Sequence, residues 1–439
     1  MDAPARTLDY NETAGAATLL APLSSVVPSS SDHPLAFAAT VAPVESSDVV
    51  PASHAPPVSS SRTTVLPRIE GDGQSIRLAN ESRARYEPVK LLGSGGMGEV
   101  VLVEDQDIAR PVAVKRLLPE MTEPSVLARF VDEIRIVGRL EHPNIVPIHD
   151  VGIDEQGRYF FVMKYVEGED LESIIDKLAA GDPEYLRTYT FEKRIEIFIG
   201  VLHALEYAHA HGIVHRDVKP ANVMVGRYGE VLLMDWGVAK ALSCPRDPVP
   251  VPDGELGEGR EKRGRLFATR VGSVIGTPAY MSPEQARGDN ESVDARCDLY
   301  SAAALFHELV SLRHYLASAT SLEAVLARVG TQQQTLPELY AARHPDHPRP
   351  PVELIHFVHK GLSLDPARRF QSAGEMILAL QSILEGRIDV QCYVTLTKRM
   401  TRELSRFVDR HPRVALFTML GMAATVIFAF AQLARMALA

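Results

Sequence analysis

The sequence predicts an α+β fold of two lobes, a small β-rich lobe followed by a larger helical lobe. Two observations indicate this. Short strand-like runs of apolar residues lie between residues 100 and 163, interrupted by one helical stretch at 125–140. After Gly168 the apolar residues recur at helical spacing, most clearly over residues 191–210.

Four runs in the first part have the composition of β-strands, because they are rich in valine, isoleucine and phenylalanine. They are residues 100–103, 112–114, 145–148 and 160–163. The pattern therefore predicts a small sheet accompanied by a single helix.

Composition limits the class of protein. The chain has 439 residues, 46% of them apolar, which is enough for two or three domains with substantial cores. A net charge of −10 at pH 7 argues against nucleic acid as a partner. The three cysteines, Cys244, Cys297 and Cys392, show no pair spacing, which argues against a disulfide framework or a zinc site and fits a reducing cytosol.

Two segments break the globular pattern. Residues 1–80 are rich in Ala, Pro, Ser, Thr and Val, and we expect them to be disordered because they cannot bury enough apolar surface. Both a regulatory tail and a simple spacer remain open for this segment. Residues 241–270 combine proline, glycine and charge and are predicted to form a mobile loop.

A glycine run, Gly-Ser-Gly-Gly-Met-Gly, occupies residues 93–98. Glycine lets the backbone approach a phosphate closely, because no Cβ stands in the way. A glycine run alone more often marks a plain turn. No helix follows this one, which argues against a dinucleotide fold or a Walker loop, since both open a helix.

Lys115 ends the apolar run at 112–114, seventeen residues after Gly98. A lysine at the end of a strand is usually a surface residue whose apolar stem packs on the protein. Its distance from the glycine run favours a phosphate-binding role instead. Glu133, on the predicted helix that follows, could pair with Lys115, although most helical glutamates face solvent.

The strongest chemical pattern is His-Arg-Asp-Val-Lys-Pro-Ala-Asn at residues 215–222. Asp217 can accept the proton of an incoming hydroxyl, Lys219 can neutralise a transferring phosphoryl group, and Asn222 can bind a metal ion. Asp235, in Asp-Trp-Gly, supplies a second metal ligand eighteen residues after Asp217. Together with the glycine run and the lysine, these groups provide, in chain order, what phosphoryl transfer from ATP requires.

Residues 86–384 resemble the eukaryotic-like (Hanks-type) Ser/Thr protein kinases of bacteria, with the glycine run and the segment 276–286 especially similar. The resemblance implies transfer of the γ-phosphoryl group of ATP, with Mg²⁺, to Ser and Thr hydroxyls of protein substrates. It also implies the division of the domain. The N-lobe would be 86–163, the hinge 164–168, the C-lobe 169–384 and the activation segment 235–284.

Under this resemblance, ATP would be held by the glycine run, the sheet and the hinge. The implied ATP-binding residues are Leu92, Gly93, Ser94, Gly95, Gly96, Met97, Gly98, Val100, Ala113, Lys115, Glu133, Met163, Tyr165 and Val166. Asp217, as the base, and Lys219 would be catalytic, and Asn222 and Asp235 would bind Mg²⁺.

The resemblance also assigns supporting roles. Thr277 would brace the catalytic loop, and Asp298 would stabilise the same loop from below. Glu284 and Arg369 would form a buried ion pair in the C-lobe.

This sequence departs from the family in three side chains. Trp236 stands in place of the usual phenylalanine, Ser282 in place of alanine, and Lys164 in place of an acidic hinge residue. The activation segment is also longer than usual. None of these changes removes a group that would bind phosphate or metal or accept a proton.

Arg216 before the catalytic aspartate suggests control by activation-loop phosphorylation, since its charge is uncompensated until a phosphate arrives. Thr269 and Ser273 are the expected sites, and self-phosphorylation suggests a homodimer. A membrane-tethered pseudokinase scaffold is the alternative function. The complete set of Lys115, Asp217 and the two metal ligands argues against it. A small-molecule phosphotransferase is disfavoured because such enzymes generally lack a segment like 277–284.

The C-terminal residues 414–434 contain no charged side chain and predict a single transmembrane helix, about 31 Å long at about 1.5 Å per residue. A basic juxtamembrane segment, residues 385–413, precedes it. This segment carries six basic residues from Lys398 to Arg413, and only Arg435 follows the span. The positive-inside tendency therefore predicts a kinase domain on the cytoplasmic side of the plasma membrane or bacterial inner membrane, with only about five residues beyond it.

Overall fold

The computed structural model describes residues 63–70, 77–79, 83–95, 98–121, 123–241, 277–289, 292–319, 321–387 and 392–438. Residues 1–62 of the predicted tail lie outside the described residues. So do residues 242–276, which hold most of the predicted mobile loop and both expected phosphorylation sites.

The first lobe is built on a five-stranded antiparallel sheet of order β3-β4-β5-β7-β6. Its strands are β3 (Tyr86–Ser94), β4 (Gly98–Asp105), β5 (Arg110–Leu117), β6 (Ile148–Ile153) and β7 (Tyr159–Lys164). The register pairs Val101 with Val114 and Val114 with Val162, so these valines share one face. They pack there with Tyr86 and Phe160 into a small core.

The other face of the sheet carries helix α1 (Pro124–Val137). Proline opens this helix, where its missing N–H costs nothing. Its buried residues, Phe130, Glu133 and Val137, recur at a spacing of three and four and so lie on one side. Phe130 packs against Phe161 of β7, with ring centres 5.4 Å apart. The helix therefore turns Glu133 towards the sheet instead of towards solvent.

The predicted strand at residues 145–148 is wrong in its position, because β6 begins only at Ile148. Pro147 has no N–H to donate to a sheet. Ile145 forms an isolated bridge with Leu233 of the second lobe instead, and the Val146 N–H donates to the Leu233 oxygen at 3.3 Å.

The second lobe is mainly helical, as predicted. Its helices are α2 (Leu171–Ala179), α3 (Pro183–Thr188), α4 (Phe191–Ala210), α5 (Pro283–Ala286), α6 (Ala295–Ser311), α7 (Leu322–Thr331), α8 (Leu336–Ala341), α9 (Val352–Gly361) and α10 (Ala373–Leu384). Helix α4 covers the predicted range 191–210 and is capped by Thr190, whose hydroxyl accepts from the Lys193 N–H at 3.3 Å. Phe198 of α4 stacks on Phe306 of α6 within the main core.

Short strands frame the loops between the lobes. They are β8 (Gly168–Asp170), β9 (Ile213–Val214), β10 (Val223–Gly226), β11 (Val231–Leu233) and β12 (Lys240–Ala241). Strands β8, β10 and β11 form one antiparallel sheet, and β9 pairs with β12. These pairs fix both ends of the loop that contains residues 215–222.

A short hairpin precedes the first lobe, with strands β1 (Arg68–Glu70) and β2 (Arg77–Ala79). The predicted end of the disordered tail, residue 80, therefore lies too far along the chain, because β1 and β2 fall within it. The chain just before this hairpin is held by a side chain of the first lobe, because the N–H groups of Val65 and Leu66 donate to Asp107 Oδ1 at 2.8 and 2.9 Å. Both side chains are exposed, so no hydrophobic pattern marks this contact in the sequence.

Two helices end the described chain, α11 (Tyr393–Arg410) and α12 (Pro412–Leu438). Residues Pro412–Phe430 of α12 are long and apolar enough to span a membrane, and almost none of this stretch is buried against the rest of the chain. The predicted span at 414–434 lies within α12.

Candidate active site

The loop at residues 215–222 is anchored from below by Asp298 of α6. One carboxylate oxygen accepts the N–H of His215 at 2.8 Å, and the other accepts the N–H of Arg216 at 2.7 Å. His209 of α4 lies 2.8 Å from the same carboxylate. Burial alone would raise the pKa of Asp298, but the hydrogen bond and charge of His209 hold it below its ordinary value. The loop therefore rests on a buried, ionised carboxylate.

Asp217 is held by groups from two segments of the second lobe that lie far apart in the chain. Its Oδ1 accepts the backbone N–H of Thr277 at 2.8 Å and the Thr277 hydroxyl at 2.9 Å. Lys219 Nζ lies 3.1 Å from Asp217 Oδ2 and 2.8 Å from Thr277 Oγ1. The start of the segment 277–284 and the catalytic loop are thereby joined through one carboxylate.

Asn222 lies beside Asp217 in the short helix Pro220–Asn222. Its Nδ2 donates to the Asp217 backbone oxygen at 2.8 Å and to Asp217 Oδ2 at 3.3 Å. With its amide nitrogen engaged there, the Asn222 side chain presents its amide oxygen as the remaining polar atom.

A second charged group lies across the cleft, where Lys115 of β5 meets two acids. Its Nζ lies 2.6 Å from Glu133 Oε1 of α1 and 3.2 Å from Asp235 Oδ1. Burial opposes charge on both Lys115 and Asp235, but their mutual attraction raises the pKa of Lys115 and lowers that of Asp235. Both side chains are therefore charged at neutral pH.

The expected nucleotide-facing residues of the sheet share one face. Val100 pairs with Lys115, and Ala113 pairs with Met163. Paired residues of antiparallel strands point to the same side, and Ala113 and Lys115 are two residues apart on β5. These four side chains thus lie opposite the valine core of the lobe, on the side that carries Glu133.

The glycine run begins in the last residues of β3 and ends in the first residue of β4. Leu92, Gly93 and Ser94 end β3, and the Gly95 N–H donates to the Gly98 oxygen at 2.8 Å across the turn. A Cβ on Gly98 would lie 2.5 Å from the backbone oxygen of Arg116, so only glycine fits there. Gly96 and Met97 lie outside the described residues.

Residues 165–167 connect β7 to β8 and thus link the two lobes. Val166 is buried and Tyr165 is half-buried. Lys164 Nζ lies 3.6 Å from Glu230 Oε1 in the second lobe, so this unusual hinge lysine is paired with an acid.

Trp236 is fully buried, and its ring centre lies 4.5 Å from that of His215. His215 Nε2 in turn lies 3.0 Å from the Met234 backbone oxygen. Asp235, between them, has a φ of +58°, which few non-glycine residues adopt. The packing of Trp236 and His215 therefore holds Asp235 in the conformation that directs its carboxylate at Lys115.

Arg216 is buried, with a φ of +69°. Its Nε and one Nη have no hydrogen-bond partner among the described residues, which exclude 242–276. Burial lowers the pKa of this guanidinium. Two of the three donor nitrogens of this buried guanidinium are therefore unused by the described part of the chain.

The C-lobe end of the activation segment is fixed by Glu284 of α5. Its two carboxylate oxygens each lie 2.8 Å from a nitrogen of Arg369, and both side chains are buried. Gln285, which the sequence did not single out, donates from Nε2 to the Arg216 backbone oxygen at 2.9 Å. The sequence also did not predict that His209 contacts the buried carboxylate of Asp298, and nothing in its sequence position marks that contact.

Comparisons with known proteins agree with this geometry. Residues 86–379 match the family described as the protein kinase domain. The chain is 38% identical over 307 residues to the probable serine/threonine-protein kinase SCO3848 of Streptomyces coelicolor, covering 69% of this chain and 40% of that protein. It is 33% identical to the serine/threonine-protein kinase PknD of Protochlamydia amoebophila, covering 72% of this chain and 31% of PknD.

A third relative, the serine/threonine-protein kinase PknB of Mycolicibacterium smegmatis, is 34% identical over 307 residues, covering 69% of this chain and 43% of PknB. The chain thus spans less than half the length of these three curated relatives. The matched region coincides with the two lobes and the site between them, so the predicted fold is confirmed. The chain belongs to the protein kinase family and resembles its bacterial, Hanks-type Ser/Thr members.

Proposed function

We propose that this chain is an active protein kinase that transfers the γ-phosphoryl group of ATP to Ser and Thr hydroxyls of protein substrates. The observation that carries the proposal is the position of Asp217. Its carboxylate is held by Thr277 and Lys219, with Asn222 beside it, while Lys115 of the first lobe forms a second charged group with its two acids.

Each group has a definite task in this proposal. Asp217 accepts the proton of the substrate hydroxyl, and Lys219 offsets charge on the transferring phosphoryl group. Lys115 binds the ATP phosphates and is held ready by Glu133. The backbone of the hinge, at Tyr165 and Val166, binds the adenine ring.

The donor set also fits Mg²⁺. The ion favours hard oxygen ligands and is commonly held by one or two protein groups together with substrate phosphates. The Asp235 carboxylate and the Asn222 amide oxygen are such groups, and Asp235 is ionised. Mg²⁺, when bound there, would offset negative charge on the phosphates.

A phosphoamino-acid assay tests this function. The purified chain, incubated with Mg²⁺ and γ-labelled ATP, should incorporate phosphate into serine and threonine and not into tyrosine. A folded chain that binds ATP yet transfers no phosphate to itself or to a general protein substrate would instead support the pseudokinase scaffold.

We also propose regulation through the activation segment. The buried donors of Arg216 suit a phosphate on Thr269 or Ser273, which would add about −1.5 to −2 charge. Phosphorylation between two copies of the chain would supply it. Mass spectrometry should locate phosphate at these residues after incubation with ATP, and phosphate confined to the N-terminal tail would contradict the proposal.

We further propose that α12 anchors the kinase in the plasma membrane or the bacterial inner membrane, with the kinase domain in the cytoplasm. Its apolar stretch Pro412–Phe430 is exposed, which a helix of a soluble core would not be. Five basic residues from Lys398 to Arg410 precede this stretch, Arg413 lies at its start, and only Arg435 follows it, so the positive-inside tendency favours a cytoplasmic N-terminal side.

A further inference from the structure

Helix α11 (Tyr393–Arg410) turns its polar face towards the kinase domain. Lys398 Nζ lies 2.8 Å from Glu353 Oε2 of α9, and Arg406 Nη2 donates to the Glu385 backbone oxygen at 2.7 Å. An amphipathic helix on a folded domain normally buries its apolar stripe against that domain. Here two basic side chains, Lys398 and Arg406, bond to the domain instead.

The apolar face of α11 points away. Five large apolar side chains are between 39% and 64% exposed, namely Leu396, Met400, Leu404, Phe407 and Val408. Their spacing of four, four, three and one residues places them on one side of the helix, and we call this set the apolar stripe. The described residues thus leave the apolar stripe uncovered, and a contiguous exposed apolar face of this kind is typical of an interaction surface.

The charge beside the stripe favours an anionic surface. Residues 393–413 carry six basic side chains and only two acidic ones, Glu403 and Asp409. Arg399 lies three residues after Leu396, and Arg410 lies three residues after Phe407, so each flanks the apolar stripe on the helix surface.

The position of α11 in the chain favours a lipid bilayer as the surface that contacts the apolar stripe. Only His411 separates it from α12. The backbone of His411 is not helical (φ −133°, ψ 60°), but hydrogen bonds join it to both helices: the His411 N–H donates to the Phe407 oxygen at 2.9 Å, and the Ala415 N–H to the His411 oxygen at 3.0 Å. If α12 spans a membrane, the last turn of α11 lies at the membrane surface.

We propose that α11 lies in the membrane interface, with the apolar stripe against the lipid chains and with Arg399 and Arg410 at anionic headgroups. Such a helix combines apolar burial with electrostatic attraction to anionic lipids. The opposite face then holds the kinase domain close to the bilayer through Lys398 and Arg406. This inference rests on the membrane anchor proposed above.

The full chain in vesicles tests the inference. With Cys244 and Cys392 replaced by serine, a single environment-sensitive dye is attached at Met400→Cys on the apolar stripe, or at Ser405→Cys on another exposed side. The vesicles contain phosphatidylcholine with or without phosphatidylglycerol, plus lipid that carries a doxyl quencher in its chain. Thermal unfolding close to that of the unlabelled chain confirms that each labelled protein is folded.

We expect the dye at position 400 to be quenched several-fold more than the dye at 405, and more strongly when phosphatidylglycerol is present. Equal quenching at both positions, or a dye at 400 shielded from lipid by a second copy of the chain, would overturn the inference. Quenching at position 400 that is the same with and without phosphatidylglycerol would overturn the role of Arg399 and Arg410. Flotation of the vesicles on a density gradient separates the two proposals. A chain that floats with the vesicles while both dyes stay in water refutes only the α11 inference. A chain that does not float with them overturns the anchor as well.

Discussion

The carboxylate of Asp217 accepts hydrogen bonds from the backbone and hydroxyl of Thr277 and lies beside Lys219. These contacts join residues 60 positions apart in the chain. They hold Asp217 in one orientation before a substrate arrives, which is the condition for efficient proton transfer at a positioned base.

Thr277→Ala should therefore lower kcat while leaving the chain folded. It removes the hydroxyl that donates to Asp217 and accepts from Lys219. A hydrogen bond to a charged group is worth about 1.5–3 kcal/mol, so we expect a loss of at least roughly 10- to 100-fold. Thr277→Ser keeps the hydroxyl and serves as the matched control. Steady-state phosphorylation of a protein substrate measures both. An alanine variant as fast as the serine variant would show that the backbone N–H suffices.

A second single residue, Glu308 of α6, predicts how the stability of the fold depends on pH. Burial raises the pKa of this carboxyl to about 7, and it accepts a hydrogen bond from the Tyr280 hydroxyl. Because the folded chain keeps this proton more tightly than the unfolded chain, stability falls as pH rises from about 4.5 through about 7.

Glu308→Gln imitates the protonated form and should raise the melting temperature at pH 8 but change it little at pH 5. Glu196→Gln, an exposed glutamate of α4, is the control and should have no such pH dependence. Thermal unfolding at the two pH values makes the comparison. The same shift at both pH values would mean that Glu308 is ionised in the fold at pH 5 as well.

The sequence predicted best those helices and strands whose own residues show a regular hydrophobic spacing. Helix α4 follows from its apolar spacing and the Thr190 cap. The strand at 145–148 was misplaced because its composition suits a strand but Pro147 interrupts the hydrogen-bond ladder. The hairpin β1–β2 was missed because the backbone pairing of its two strands, and the hydrogen bonds from Val65 and Leu66 to Asp107 just before it, leave no hydrophobic pattern.

The residues of the candidate site also fall into those that the sequence predicted and those that it did not. Local motifs predicted Lys115, Asp217 and Asp235 together as site residues. The contacts of Asp217 with Thr277 and of His209 with Asp298 could not be read from spacing alone, because they depend on how distant segments meet.

Helix α5 is tied to the segment before α10 by the buried pair of Glu284 and Arg369. Arg369→Met leaves a buried, unpaired carboxylate, so we expect a loss of about 3–5 kcal/mol in the free energy of unfolding. The matched control is Arg227→Met, whose pair with Glu167 has the same 2.8 Å separation but is exposed. That change should cost at most about 1 kcal/mol.

Denaturant unfolding of both variants measures the difference. The double variant Glu284→Gln/Arg369→Met should recover part of the loss, since it removes the unpaired charge. Equal losses for the buried and exposed pairs would contradict the account of α5 as an anchored element.

For the molecule as a whole, the proposed anchor predicts its behaviour in cell fractions. Full-length chain should remain with membranes after carbonate or high-salt washing, because about 30 Å of apolar helix matches the hydrocarbon core. A chain truncated after His411 keeps only the peripheral contact proposed for α11 and should be released by carbonate. Full-length protein released by carbonate, or truncated protein retained after it, would contradict the anchor.

The central claim is that Asp217 acts as the base of a working kinase. The most direct measurement is the initial rate of phosphate transfer from ATP to a protein substrate by the wild-type chain, Asp217→Asn, and the exposed control Asp346→Asn. A positioned base contributes about 10²- to 10⁴-fold, so Asp217→Asn should fall near background while the control keeps the wild-type rate. A folded Asp217→Asn chain that transfers phosphate at the wild-type rate would contradict the assignment.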